Sequence, residues 1–366
     1  PRSTPLYSSA ASDVYKRQIY VEKDLTENIE DLLKALAPKK RVFLLSDVNV
    51  FPSYGINLMK SLESNSIECE SLSLGLNEKN KNLETVSLIY NWLVNQRVER
   101  SDILISLGGG VATDLIGFAA STWLRGIKII HFPTTLAAMV DASVGGKTAV
   151  NLSKGKNLIG AFHQPKGIFM DTSTLMSLPK RELNSGWAEA IKHAFLFDPL
   201  LLELFTKNKI SINLMKEPIF TQVVKRSVEI KGDIVSKDEY VTGTERIRLN
   251  FGHTIAHALE AATKYTQMLH GEAVSVGMVI ASNISNKLGI CNDSIPEMVV
   301  KTLELYDLPT KIPKHINIEK LYEICKTDKK VQDGKINWVL IEDIGKSVIK
   351  NNVEDKIVIE ALTENQ

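Results

Sequence analysis

Residues 101–120 read SDILISLGGGVATDLIGFAA, and this stretch decides the fold class. Ile103–Leu107 is a short apolar run that predicts a strand, and from Val111 onward the apolar residues recur at helical spacing. Gly108, Gly109 and Gly110 fill the junction. Without side chains at a strand-to-helix turn, backbone N–H groups can close on a pyrophosphate, and the helix dipole favours the anion. The spacing is not the GxGxxG dinucleotide fingerprint, because Thr113 stands where the third glycine would be; a tight turn without a ligand would use the same residues.

Outward from that stretch the pattern repeats. RVFLLSD (41–47) and Lys128–Phe132 predict further strands, and NIEDLLKAL (28–36), Ile56–Leu62 and Leu83–Leu93 predict helices. Strand and helix in alternation imply parallel βαβ units, hence an α/β domain. Asp47 and Asn49, just past a strand, suit ribose hydroxyls of a nucleotide and equally suit a turn. Residues 1–18, PRSTPLYSSAASDVYKRQ, show no sustained period and read as a non-native or disordered tail, with the α/β domain over 19–178. After Leu178 the texture changes: Trp187–Phe205, Thr221–Val235, Thr254–Thr263 and Glu272–Leu288 are apolar-periodic at helix length, which predicts an all-helical domain over 179–366.

Across 366 residues, 44 Lys+Arg face 43 Asp+Glu, a formal net charge of +1. That balance excludes the clustered basic excess of a nucleic-acid or membrane-surface binder. No window reaches the roughly eighteen apolar residues of a membrane span. Three distant cysteines, Cys69, Cys291 and Cys325, argue against a disulfide framework and for a reducing, cytoplasmic setting.

A second polar segment, HFPTTLAAMVDASVGGKTAVNLSKGKNLIG (131–160), reads as a loop system in need of a ligand. Its GGKT resembles the end of a P-loop, but Asp141 stands where the required glycine would be, so a triphosphate site fails on spacing. Its lysines could still pair with carboxylate or phosphate as point charges. In the helical half, Glu189, His253, His257 and His270 are potential metal ligands. His253 and His257 lie one helical turn apart, as do Glu189 and His193, and a catalytic zinc wants three such donors plus an open position. Spacing alone does not select among them.

GGGVATDLIGF, FPTTLAAMVDASVGGKTAVNLSKGKNLIGAFHQP, LPKRELNSGWAEAIKH, LNFGHTIAHALEAAT and LHGEAVSVGM follow one another in the order and at the spacing of a known family. From about Ile19 to its end the chain resembles the 3-dehydroquinate synthases, which belong to the sugar-phosphate cyclases. The resemblance implies an N-terminal Rossmann-like NAD-binding domain, a C-terminal α-helical domain that binds a divalent metal, Zn2+ or Co2+, and a homodimer. It assigns the metal to Glu189, His253 and His270, overruling the His253/His257 pair. It assigns the substrate carboxylate to Lys147, Lys231 and Arg246, and the phosphate to Asn157, Lys192, Asn250 and His257, with Arg125 reaching in from a second subunit. NAD falls to Asp47, Asn49, Glu78, Lys81, Gly109, Gly110, Val111, Asp114, Thr134, Thr135, Asp141 and Lys156, and Lys329 and Lys330 match a late lysine motif.

The implied substrate, 3-deoxy-D-arabino-heptulosonate 7-phosphate, is a sugar acid with two anionic ends, which accounts for two cationic clusters. Transient oxidation at C5 makes the C6 proton acidic; phosphate leaves, C5 is reduced again, the ring opens and an aldol closure gives the carbocycle. Another sugar-phosphate cyclase would lack the carboxylate-binding residues. A metal-dependent glycerol-type dehydrogenase would leave Lys147, Lys156 and Lys192 unexplained. A chain that folds poorly and has no activity is the non-enzymatic alternative. Three departures from the family pattern stand out: its first strand, expected before Ile19, is missing; the segment between Asp238 and Arg246 is one residue longer; and Ser177 replaces the commoner Thr.

Overall fold

The computed structural model describes residues 18–25, 41–153, 155–240, 243–326, 331–332 and 335–366. The expected tail up to Arg17, the helical pattern over 28–36, and Lys329 and Lys330 lie outside the described residues. Two compact units divide the chain, Pro1–Leu178 and Pro179–Gln366.

In the first unit, β1 (Gln18–Glu22), β2 (Arg41–Asp47), β3 (Glu68–Leu74), β4 (Ile103–Gly108), β5 (Lys128–Pro133) and, after the separate strands β6 (Lys147–Leu152) and β7 (Gly155–Phe162), β8 (Gly167–Asp171) form one six-stranded sheet of which β6 and β7 are not part. Its order is β1-β8-β5-β4-β2-β3 and every pairing is parallel. Helices α1 (Ile56–Ser64), α2 (Leu83–Asn95) and α3 (Gly110–Thr122) lie between strands in the chain. A parallel sheet covered on both faces needs apolar residues at consecutive positions. Val42 and Leu44 join the core that holds Leu58 and Leu62 of α1, while Phe43 and Leu45 join the core that holds Val86, Ile89 and Leu93 of α2 and Leu115, Ile116 and Ala119 of α3. That two-sided burial is why RVFLLSD and ILISL are unbroken apolar runs.

Two expectations are corrected here. The tail ends one residue earlier than expected, because Gln18–Glu22 is a strand that pairs in register with Gly167–Asp171 at the sheet edge; the stretch before it, where the family's first strand is expected, lies outside the described residues. Tyr20 stacks on Phe169 with ring centroids 5.0 Å apart, and Asp24 N–H donates to Asp171 Oδ1 at 2.9 Å. The strand therefore begins at Gln18, the last residue assigned to the tail. The polar segment after β5 is not all loop either, because β6 (Lys147–Leu152) and β7 (Gly155–Phe162) form an antiparallel ribbon. Thr148 and Val150 alternate inward along β6, a period of two that polar neighbours disguise.

The second unit carries α4 (Lys180–Phe197), α5 (Pro199–Lys207), α6 (Lys209–Asn213), α7 (Ile219–Lys237), α8 (Glu245–Arg248), α9 (His253–Ala262), α10 (His270–Lys287), α11 (Ser294–Glu304), α12 (Ile318–Lys326) and α13 (Asp355–Glu364). Trp187 of α4 sits among Phe205, Phe220 and Tyr306, with centroids 5.6, 5.8 and 6.0 Å away. The apolar pattern over Trp187–Phe205 spans two helices. Asp198 accepts from the N–H groups of Leu200 at 3.0 Å and Leu201 at 3.2 Å, and Pro199 takes the first helical position, where its missing N–H costs nothing. The unit is helix-rich rather than wholly helical. Short strands β9 (Val331–Gln332) and β10 (Lys335–Ile336) pair, as do β11 (Trp338–Asp343) and β12 (Lys346–Lys350), where a turn through Gly345 at φ 81° joins two runs with β-branched residues.

Candidate active site

Glu189 lies on α4, where every residue from Leu183 to Leu196 is buried. Its Oε2 accepts from Lys192 Nζ, one turn further on, and both side chains are only 1% exposed. Its other oxygen, Oε1, lies 3.5 Å from His253 Nε2 and 3.4 Å from His270 Nε2. One donor atom each from Glu189, His253 and His270 falls within 4.8 Å of the others.

The far side of each ring explains this geometry. His253 Nδ1 lies 3.2 Å from the carbonyl of Phe251, and His270 Nδ1 lies 3.5 Å from Glu260 Oε2. Neither oxygen can donate, so each Nδ1 carries the proton and each Nε2 turns a lone pair towards Glu189. Two lone pairs and a carboxylate oxygen facing one another repel unless a cation sits among them. The set fits a divalent ion on chemical grounds: two imidazoles and a carboxylate, with outer acceptors on both rings, as in catalytic zinc sites. Without a metal, a proton serves. Burial lowers the pKa of His270, but Glu189 and Glu260 outweigh it and push the value up to about 10.

Backbone contact fixes His270 at the start of α10. Gly271 N–H donates to Ser185 Oγ of α4 at 3.0 Å, and a Cβ on Gly271 would stand 1.8 Å from the Ser185 carbonyl oxygen. Glu272 ties the same corner. It accepts from Leu269 N–H at 2.8 Å, and Arg181 donates to its two oxygens at 2.6 and 2.7 Å. Burial raises the pKa of Glu272, but Arg181 and the Leu269 N–H hold it below the usual carboxylate range.

His257 stands close by, its ring 5.7 Å from that of His253 and 6.5 Å from that of His270, but it is not part of the three-donor set. His193 turns instead to Ser227 of α7, with Nδ1 and Oγ 2.8 Å apart. Lys231 is buried one turn beyond Ser227 on the same face of α7. Arg246 is buried on α8 and donates from Nη1 to the Glu239 carbonyl at 2.6 Å; Asn250 follows one turn later, its N–H on the carbonyl of Ile247 at 2.9 Å.

In the first unit, Lys81 is 4% exposed and donates to Asp114 Oδ2 at 2.5 Å and Asn157 Oδ1 at 2.6 Å. Burial holds the Asp114 carboxyl above its ordinary range despite Lys81. Asn157 is thus gathered with Lys81 and Asp114, residues expected to face the nucleotide. Lys156 lies 3.5 Å from Glu78, whose Oε1 accepts from Asn151 Nδ2 at 2.8 Å, and Asn151 in turn accepts from Asn157 N–H at 2.9 Å. Asp47 ends β2 with its carboxylate accepting from the N–H groups of Asn49 at 2.8 Å and Leu76 at 2.7 Å, so it organises two strand-end loops. Gly109 caps α3, and Gly110 and Val111 open it without a capping side chain. Thr134 continues the sheet through a bond from its N–H to the Gly108 carbonyl at 2.9 Å, and Thr135 Oγ1 accepts from Ala138 N–H at 3.2 Å. Asp141 is close enough to Asp114 to raise its pKa further. Lys147 opens β6 and is exposed; Arg125, also exposed, occupies a left-handed turn at φ 67°.

The sequence reading missed Glu260, Asn151, Ser227 and the Arg181–Glu272 pair. Glu260 alone left a signal: an acidic residue one turn after His257, between the apolar residues of HALEAA.

The N-terminal domain model of 3-dehydroquinate synthase matches residues 71–185, and the C-terminal domain model matches 186–331. The 3-dehydroquinate synthase of Prochlorococcus marinus strain AS9601 is 42% identical over 346 residues, covering 93% of this chain and 95% of that protein. That of Nostoc punctiforme is 41% identical over 328 residues, covering 88% and 89%. Among solved structures, a 2-epi-5-epi-valiolone synthase from Streptomyces hygroscopicus subsp. jinggangensis, with NAD+ and Zn2+ bound, superposes with a TM-score of 0.87 at 27% identity over 98% of both chains. A 2-deoxy-scyllo-inosose synthase shares the fold, with a TM-score of 0.86 at 23% identity over the whole of both chains. With both domain models matched in succession and relatives aligned over nearly their full length, the chain belongs to the 3-dehydroquinate synthase family.

Proposed function

We propose that this chain converts 3-deoxy-D-arabino-heptulosonate 7-phosphate to 3-dehydroquinate and phosphate by transient oxidation, phosphate elimination, reduction, ring opening and aldol closure. The observation that carries the reading is the presence of three buried cations, Lys192, Lys231 and Arg246, in the same unit as the Glu189, His253 and His270 donor set. Buried cations are costly without countercharge; Lys192 already has Glu189 beside it, and a substrate with a carboxylate at one end and a phosphate at the other would add two further anions for the group. An uncharged polyol supplies none, which disfavours a glycerol-type dehydrogenase.

Glu189, His253 and His270 would hold a divalent ion, and the residues around Asp47, Lys81, Gly109, Asp114 and Thr135 would hold NAD; bound, these groups supply Lewis-acid stabilisation of oxyanions and a reversible two-electron acceptor. Lys231 and Arg246 bind and orient the carboxylate end. Lys192, Asn250 and His257 receive the phosphate, and the phosphate charge settles on an ammonium that burial has stripped of water, where electrostatic attraction is strongest. Glu189 spans both tasks, one oxygen on Lys192 and the other towards the imidazoles. The proposed assembly is a cytoplasmic homodimer in which exposed Arg125 serves the site of a second copy. In support of the compartment, all three cysteines are free thiols.

The expected outcome is phosphate release from the heptulosonate phosphate with NAD far below the substrate concentration, abolished by a chelator and restored by Zn2+ or Co2+. One NADH accumulating per substrate consumed would make the chain a dehydrogenase instead.

A further inference from the structure

We propose that Glu260 is a positioning residue that fixes His270 for metal binding and strengthens it as a ligand. The inference rests on the reading that Glu189, His253 and His270 hold a divalent ion.

Glu260 lies on α9 and is 4% exposed. His253, His257 and Glu260 follow at intervals of four and three residues, so they form one stripe on that helix. At the end of the stripe, Glu260 Oε2 stands 3.5 Å from Nδ1 of His270, while Nε2 of the same ring stands 3.4 Å from Glu189 Oε1. The imidazole is therefore held between two carboxylates on two different helices. The inner one belongs to the donor set, and the outer one can only accept. With its proton committed to Glu260, the ring offers Nε2 to the metal and cannot adopt the other tautomer.

The two histidines of the set differ in this respect. His253 turns its Nδ1 to a neutral acceptor, the Phe251 carbonyl at 3.2 Å, whereas His270 turns its own to a carboxylate. A negative charge behind the ring pushes electron density towards Nε2, which makes His270 the stronger donor of the pair. Anchoring also matters more for His270. It is the first residue of α10 and its side chain is 38% exposed, against 11% for His253, so packing restrains it less.

The test uses the full chain stripped of metal, with Zn2+ affinity read by competition against a chromophoric chelator and ligand geometry read from the visible absorption of Co2+-loaded protein. Glu260→Gln keeps an acceptor but loses the charge and is expected to weaken Zn2+ binding about 10-fold; Glu260→Ala loses both and is expected to approach 100-fold. The Co2+ spectrum shifts in both, in the same order. Unchanged spectra, with affinities within threefold of wild type, would reduce Glu260 to a packing role and overturn the proposal. If Glu260→Ala does not fold, Glu260→Gln decides by the same criteria. Glu189→Gln is the control on the underlying reading: if it too binds Zn2+ like wild type, the metal site is misassigned, whereas loss in Glu189→Gln with none in the Glu260 variants sinks the Glu260 proposal alone.

Discussion

Each unit holds a histidine flanked by polar partners, and the two are pushed in opposite directions. His131 of β5 is 2% exposed, with Nδ1 2.6 Å from Ser106 Oγ on the neighbouring strand β4. Burial, helped by the nearby His163, takes its pKa down to about 3. His270 is also penalised by burial, yet Glu189 and Glu260 carry it up to about 10. The side chain is the same, and loss of water acts in the same direction on both. His270 keeps more contact with water, and the countercharge differs. A hydroxyl satisfies a neutral ring and leaves it a structural part of a sheet, whereas two converging carboxylates require a positive charge at the ring. The difference separates a histidine satisfied by a neutral partner from one that draws positive charge, and it does so without reference to how either residue lies in the sequence.

The backbone around the two rings differs in the same sense, and Gly271→Ala tests the more tightly held of them. The new Cβ would lie 1.8 Å from the Ser185 carbonyl, so α4 and α10 must part. We expect a loss of about 3 kcal/mol, the upper end of the usual overpacking cost, together with weakened Zn2+ binding because His270 moves with the helix start. Denaturant titration of the metal-free chain reads the first and chelator competition the second. A variant that loses less than about 1 kcal/mol and keeps its metal would show that this corner is not rigid.

For His131 the test is pH. Its folded pKa is depressed, so the stability it contributes is complete above the unfolded value near 6.5 and is lost as the pH falls towards the folded value of about 3. Between pH 7 and pH 5 the wild-type chain is expected to lose about 2 kcal/mol more than His131→Gln, which has no ring to protonate. Parallel stability curves for the two would mean that His131 takes up its proton without disturbing the sheet.

The two units were unequally legible in the sequence, for related reasons. Continuous apolar runs such as RVFLLSD betray strands buried on both faces, and the glycines at 108–110 mark where the sheet hands over to α3, because these signals are local. The change of texture after residue 18 marked where the domain begins, but Gln18–Glu22 pairs with Gly167–Asp171, far along the chain, and only that pairing makes QIYVE a strand. The donor set was visible as residue types but not as a set. Glu189, His253 and His270 come from three helices, and the more conspicuous His253/His257 spacing is a property of one helix alone. Glu260 and Ser185 act across helix contacts that no periodicity encodes. Family resemblance supplied the choice of three that spacing could not.

The smallest expected effect concerns a glycine beside His131. A Cβ on Gly117 of α3 would meet Thr148 Cγ2 at 2.6 Å and His131 Cε1 at an ordinary 3.6 Å. Here the obstacle is a side chain rather than a carbonyl. Thr148 is nonetheless a stiff one, branched at Cβ and bonded through Oγ1 to the Ala161 carbonyl at 2.8 Å. Alanine also favours a helix over glycine by about 1 kcal/mol, which offsets much of the crowding. The net loss for Gly117→Ala should be about 1 kcal/mol or less, against about 3 kcal/mol for Gly271→Ala. Because the contact with His131 stays in the normal range, the acid sensitivity of Gly117→Ala should run parallel to that of wild type. If the two alanine variants prove equally destabilised, the distinction between a side chain that can shift and a backbone that cannot does not set the cost, and the contrast between the two histidine environments then rests on charge alone.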